Sequence, residues 1–353
     1  VIETQRSEPE SVELWDEQRI RDWQDYHLSG MPQLLSSMNL CHALLALTNS
    51  GMLARLREAG PVAAEALLHG VDPAVGTGLL RYLEVCGVLA EHQGVYRLTR
   101  RGELLVGPVA LARLGFYLEA YSPVIGRMTD LLTGAARYGV DVTRAAGALS
   151  RHSGAVSTSA YTAIVLEAVR ERRSSRLLDL GCGGGSLLVE LCLARPDLSG
   201  AGIDVAPEAI EAAKRLAVGH GVADRLEFAV ADAFDPGSWP ASCGAADVIC
   251  GVGMLHEQFR DGDGAVIDIL NRYATLATGR RMLLFGEPEL RYDNQENDSD
   301  FFLVHFLTAQ GIPRGRAGWL DLFERTSLRC RRVYGSAVAG PRTLFYELEP
   351  RER

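Results

Sequence analysis

Lysine is nearly missing from this chain of 353 residues: Lys214 is the only one, and arginine carries the rest of the basic charge. We read that bias as genome base composition, so it excludes nothing about function. An excess of positive charge is missing too. Acidic residues number 45 against 36 basic ones, a net charge of −9, so nucleic acid is not the expected partner. Paired cysteines are absent. The seven cysteines, Cys41, Cys86, Cys182, Cys192, Cys243, Cys250 and Cys330, form no CxxC motif. Their odd number and irregular spacing argue against a disulfide framework and for reduced thiols in the cytoplasm. No apolar run approaches the ~18 residues of a membrane-spanning helix, which argues against an integral membrane protein. The first ten residues are polar and acidic, without the apolar core of a secretion signal. Internal repeats and low-complexity tracts are absent as well. What remains is ordinary for a globular protein: 47% hydrophobic and 23% charged residues, in a chain long enough for two domains.

Along the chain the first half reads as helical. Leu14, Trp15, Ile20, Trp23 and Tyr26 recur at helical spacing over Val12 to His27, giving an aromatic face that needs a partner. Further helices are expected over Leu34 to Leu47, Leu53 to Leu56, Pro61 to Leu67 and Gly78 to Gly87. Val88 to His92 and Val95 to Leu98, separated by Gln93-Gly94, read as a β-hairpin. Helices followed by a hairpin make a winged-helix pattern. The acidic balance favours a dimerisation module over DNA binding for residues 1–108. Residues 109–160 read as a helical connector. From 161 onwards strands alternate with helices, which predicts an α/β fold with a parallel sheet covered by helices.

The strongest signal is Leu177-Leu178-Asp179-Leu180-Gly181-Cys182-Gly183-Gly184-Gly185-Ser186. A buried strand runs into a glycine turn and then a helix, which lets a nucleotide-type ligand approach the backbone closely. The next strand, Gly200 to Asp204, ends in an acid suited to ribose hydroxyls, followed by Val205. A third strand, Leu226 to Val230, leads to Asp232-Ala233-Phe234. There a carboxylate can accept from an adenine amino group and a ring can pack on the base.

This set resembles the class I S-adenosylmethionine (SAM) methyltransferases, with a Rossmann-like domain over 161–353. The resemblance makes SAM the expected cofactor, held by Asp179, Gly181, Gly183, Gly185, Asp204, Val205, Asp232, Ala233 and Phe234. With the winged-helix-like front end, the chain is similar to the small-molecule O-methyltransferases, in which a histidine after strand four is a general base. His256, in Met254 to Asp261, matches that histidine, with Glu257 where the family has aspartate. The resemblance to that family also implies a homodimer.

A second histidine, His305, lies in the apolar run Phe301 to Leu307, a stretch that covers the acceptor pocket in the family. His256, Glu257 and His305 together resemble a narrower group, the metal-dependent C-methyltransferases of α-keto acids. That likeness implies a transition metal such as iron or zinc on those three residues, and C3 methylation of a small keto acid in bacterial secondary metabolism. Arg127, on the connector, is the arginine expected to hold a substrate carboxylate. Tyr121 and Trp319 are candidate pocket walls, and Glu287, at the end of strand five, is placed to orient a histidine or cap a loop. Two alternatives stay open. One is a metal-free O-methyltransferase with His256 as base. The other is a SAM-binding regulator, for which Gly78 to Gly87 carries only one arginine, Arg81.

Overall fold

The structure, a computed structural model, describes residues 10–12, 16–172, 175–277, 281–289, 299–310, 315–335 and 343–351. Residues 1–9, Leu14 and Trp15 lie outside them. The chain divides into two compact units, Val1–Val106 and Gly107–Arg353.

The first unit is mainly helical: α1 (Glu17–Leu28), α2 (Met31–Asn49), α3 (Met52–Ala59), α4 (Ala64–Leu67), α5 (Pro73–Val85) and α6 (Arg100–Leu105). Asp16 caps α1, accepting from the backbone N–H groups of Gln18 and Arg19. Asp72 does the same for α5. The unit also holds a small sheet of β1 (Val62–Ala63), β2 (Leu89–His92) and β3 (Val95–Leu98), in the order β1-β3-β2. Its hairpin turns at Gln93 and Gly94, both at positive φ (52° and 78°), the geometry that two-residue hairpin loops favour. The helix expected over Pro61 to Leu67 is a correction. Val62 and Ala63 pair with Tyr96 and Val95, and only a single helical turn follows. Pairing with the hairpin outweighs the local helical spacing there.

The second unit opens with α7 (Pro108–Gly115), a π-helical turn (Phe116–Ala120), α8 (Ser122–Ile125), α9 (Met128–Thr133), α10 (Ala146–Ala160) and α11 (Thr162–Arg172). The helical connector expected over 109–160 is thus broken into short helices, with none over 134–145. Pro123 opens one of them and Gly134 ends another.

The main sheet follows: β4 (Arg176–Leu180), α12 (Ser186–Ala194), β5 (Ser199–Asp204), α13 (Pro207–Gly219), β6 (Leu226–Val230) and β7 (Val248–Val252). It is completed by α14 (Asp263–Leu276), β8 (Met282–Pro288), α15 (Ser299–Leu307), α16 (Arg316–Glu324), β9 (Leu328–Tyr334) and β10 (Thr343–Pro350). The strand order is β6-β5-β4-β7-β8-β10-β9. Strands β4 to β8 run parallel, and β10 is antiparallel to both β8 and β9.

Successive residues on each strand face opposite layers. Leu178, Leu180, Ile249, Leu283 and Phe285 pack with Ile269 and Tyr273 of α14 and Trp319 of α16. Leu177, Val248, Cys250 and Leu284 pack with Val165 of α11 and Leu188 of α12. The sheet is therefore buried on both faces. Trp319 sits fully inside the first of these cores, so it is a core residue and not a pocket wall. From β4 the chain winds first towards β6 and then back through β7 to β8. That reversal opens a crevice at the carboxyl ends of the strands, where α/β folds of this kind bind ligands.

Candidate active site

Two groups of side chains meet at those strand ends. The first surrounds the glycine turn after β4. Gly181, Gly183 and Gly185 all have positive φ (68°, 51° and 75°). A Cβ on Gly185 would also lie 2.8 Å from the Cβ of Ala213, so this position needs glycine for space as well as for conformation. Asp204, at the end of β5, ties the turn down. Its Oδ2 accepts from the Gly183 N–H at 2.9 Å and its Oδ1 from the Ala206 N–H at 2.9 Å.

Asp179 lies buried beneath the turn. Burial, with the nearby Asp204 charge adding to it, pushes its carboxyl pKa up to about 7. Beyond β6, Asp232 is exposed and its Oδ1 accepts from the Phe234 N–H at 2.9 Å. Its carbonyl accepts from the Trp239 ring N–H at 2.8 Å. The Ala233 carbonyl accepts from the Tyr273 hydroxyl at 2.8 Å. Phe234 rests half-buried on the core, and the Val205 side chain is exposed beside Asp204. Sequence reasoning did not single out α10, whose Ser150 Oγ would stand 3.1 Å from a Cβ on Gly183.

The second group lies beyond β7. Gly253, at φ 67°, turns the chain into a 3₁₀ helix, Leu255–Asp261, that carries His256 and Glu257. Glu287, next to last in β8, has no exposed surface. Its Oε1 accepts from the N–H groups of Met254 (3.2 Å) and Leu255 (2.8 Å). Its Oε2 accepts from the His256 N–H (3.3 Å) and from His256 Nδ1 (2.7 Å). Glu287 therefore both caps the 3₁₀ helix and orients the imidazole. In the neutral tautomer that donates from Nδ1 to this carboxylate, the lone pair lies on Nε2.

His305, on α15, repeats the pattern. Its Nδ1 donates to the Phe301 carbonyl at 2.7 Å, since a carbonyl only accepts. Its Nε2 is buried and has no hydrogen-bond partner among the described residues. The two imidazoles lie 4.8 Å apart between ring centroids, and Phe301 stands edge-on to His305 at 4.2 Å. Burial, then His256, push the His305 pKa down to about 3, so the ring is neutral near pH 7.

Two neighbouring imidazoles, each with Nδ1 held by an outer acceptor, are of the donor type that transition-metal sites use. A buried ring nitrogen with no partner is costly unless something uses it. The pair therefore fits a metal ion. Glu257, the expected third ligand, is engaged elsewhere. Among the described residues no three His, Cys, Asp or Glu side chains stand together as a metal cluster.

Glu257 forms a two-pronged ion pair with Arg144, Nη1 to Oε1 at 2.7 Å and Nη2 to Oε2 at 2.9 Å. Arg144 Nη1 also donates to the Tyr121 hydroxyl at 3.2 Å. Burial opposes the charge on Arg144. The Glu257 carboxylate more than offsets this and holds the guanidinium above its ordinary pKa. Arg127 is ion-paired to Asp130 on the first turn of α9, with its side chain about half exposed. The arginine joined to the histidine segment is thus Arg144, which the sequence reading passed over. Nothing local marks it, because its partner lies 113 positions away. Phe116, Ala120, Tyr121, Ala148 and Val304 pack into a small core of their own, with Phe301 against it. Two of these residues come from the π-helical turn, a distortion that recurs at functional sites.

This fold and these strand-end residues define a class I SAM-dependent methyltransferase, and the chain belongs to that class. A methyltransferase-domain family model matches residues 171–263. The chain shares family membership with the 2-ketoarginine methyltransferase of Streptomyces arginensis, to which it is 30% identical over 327 residues, 86% of this chain and 88% of that protein. It is 26% identical to the indolepyruvate C-methyltransferase of Streptomyces griseus, over 78% of this chain and 81% of that one. Among solved structures the mitomycin 7-O-methyltransferase superposes with a TM-score of 0.70 at 22% identity, covering 94% of this chain and all of that one. That likeness carries the shared fold.

Proposed function

We propose that the chain transfers a methyl group from SAM to C3 of a small α-keto acid, with a transition metal held by His256 and His305. The observation that carries the reading is the buried, unpartnered Nε2 of His305 beside the ring of His256. Two relatives bear the names of 2-keto acids, 2-ketoarginine and indolepyruvate. A metal bound there would act as a Lewis acid on the keto acid's oxygens and make the C3 proton more acidic.

The reaction needs little more than placement. The C3 proton is given up to a water molecule as the keto acid enolises, and the enolate carbon attacks the sulfonium methyl. A C–C bond forms as the S–CH₃ bond breaks, and S-adenosylhomocysteine leaves. SAM is already activated, so the protein's task is to hold both partners in line and exclude water. Asp204 and the glycine turn would hold the ribose and methionine parts of SAM, and Asp232 and Phe234 its adenine. Glu287 keeps the Nδ1 proton of His256 in place, and the Phe301 carbonyl does so for His305.

The His256–Glu287 pair also supports a second reading, in which His256 Nε2 takes the proton of a phenol during O-methylation. That reading leaves the bare His305 nitrogen without a task. The two are separated by incubating the protein with SAM and C3-deuterated phenylpyruvate or 2-ketoarginine, or with a panel of phenols. Mass spectrometry should show a keto acid that gains one methyl and loses one deuterium. Methylation of phenols alone would select the second reading.

We also propose that the first unit joins two copies of the chain. Helix α1 contains no buried residue, and Trp23, Leu28, Leu34, Leu35 and Met38 of α1 and α2 are exposed. Exposed apolar side chains of this kind on consecutive helices are what a second copy would cover.

A further inference from the structure

We propose that Glu257 is an internal stand-in for the acceptor's carboxylate. On this view the acceptor binds by displacing Glu257 from Arg144. The inference rests on the keto-acid reading above.

Three observations support it. First, the contact is two-pronged, with Nη1 on one carboxylate oxygen and Nη2 on the other. That is the geometry in which arginine recognises a free carboxylate, so Arg144 is already shaped for such a ligand. Second, the pair adjoins the proposed chemistry. Glu257 follows His256 in the chain, on the same 3₁₀ helix. Third, the Tyr121 hydroxyl also accepts from Arg144 Nη1, and Tyr121 lies in the aromatic core that packs against Phe301. The guanidinium is thus fixed by a neighbour that does not move with Glu257, and it would keep its position when the glutamate leaves.

The arrangement has a consequence for specificity. An α-keto acid brings a carboxylate that replaces the one it displaces, so Arg144 is never left unpaired. An ester, an amide or a phenol brings no such group. Each would have to leave the Arg144–Glu257 pair closed or bury an unpaired charge, which is costly. Glu257 is therefore a positioning and selecting residue, and its own negative charge competes with the substrate.

The competition gives an unusual sign to the test. Acceptor binding is measured calorimetrically on the protein loaded with S-adenosylhomocysteine, so that no turnover occurs. The probes are phenylpyruvate and 2-ketoarginine, each beside its methyl ester. Wild type should bind at least one free acid and discriminate against its ester. Glu257→Gln should bind that acid about tenfold more tightly, because the neutral amide releases Arg144. Arg144→Gln should lose about a hundredfold and no longer tell acid from ester. Arg144→Lys should fall between, keeping the charge without the fork. S-adenosylhomocysteine affinity, unchanged in all three, reports that each variant is folded.

If Glu257→Gln binds the acid no better than wild type, or Arg144→Gln keeps the discrimination, the inference is overturned while the keto-acid reading stands. If wild type binds neither acid, that reading fails and takes the inference with it.

Discussion

His256 Nδ1 lies 2.7 Å from Glu287 Oε2, and the same carboxylate accepts the backbone N–H groups of residues 254 to 256. One fully buried side chain thus fixes both the path of the 3₁₀ helix and the tautomer of its histidine. Glu287→Gln should keep much of the shape and lose the charge. Methyl transfer should fall about 10- to 100-fold, the usual effect of removing such an outer partner, with SAM affinity unchanged. Glu287→Ala should also lower the melting temperature, since each buried N–H left unsatisfied costs about 1–3 kcal/mol. Steady-state kinetics and a thermal melt on both variants check this. An Ala variant as stable and active as wild type would remove Glu287 from the account.

Asp179 predicts a pH dependence of opposite sign to that of an ordinary ion-paired carboxylate. Its folded pKa is raised to about 7, from an ordinary value of 3.8. Between these values the unfolded chain gives up the proton and the folded chain keeps it. Stability of the ligand-free protein should therefore fall as pH rises from about 4 to about 7, and then level off. The full effect is on the order of 4 kcal/mol. Asp179→Asn should remove this component. Denaturant titrations of both proteins across that range measure the difference, and parallel pH profiles would contradict it.

Much of the cofactor half could be read in the sequence because it is local. An apolar run, three spaced glycines and a strand-end acid fall within a few positions of one another, and each meets a backbone requirement that few other residues satisfy. The acceptor half could be read only in part. His256, His305 and the orienting position of Glu287 stand out because polar residues are conspicuous in apolar runs. Arg144 does not stand out among so many arginines. What distinguishes it is a long-range pairing with Glu257, and Arg127, on the same connector, satisfies the same local criteria while engaging Asp130 instead. The π-helical turn was illegible for a related reason: Phe116 to Ala120 is compatible with an ordinary helix, and only the packing around Tyr121 and Phe301 shows what the distortion accommodates.

The exposed apolar side chains of α1 and α2 predict the state of assembly. Sedimentation of wild type should give a dimer. Replacing Leu34 and Met38 together by Asp should shift it towards monomer without loss of secondary structure, because both side chains are already exposed within the single chain. A wild-type monomer at micromolar concentration would contradict the proposal.

The central claim is that His256 and His305 hold a metal needed for the reaction. Its most direct test is elemental analysis of purified wild type and of His305→Ala, with SAM affinity measured on both. The account predicts near-stoichiometric transition metal in wild type, its loss in the variant, and equal SAM binding. A wild type free of transition metal that methylates a keto acid at C3 at full rate would contradict it.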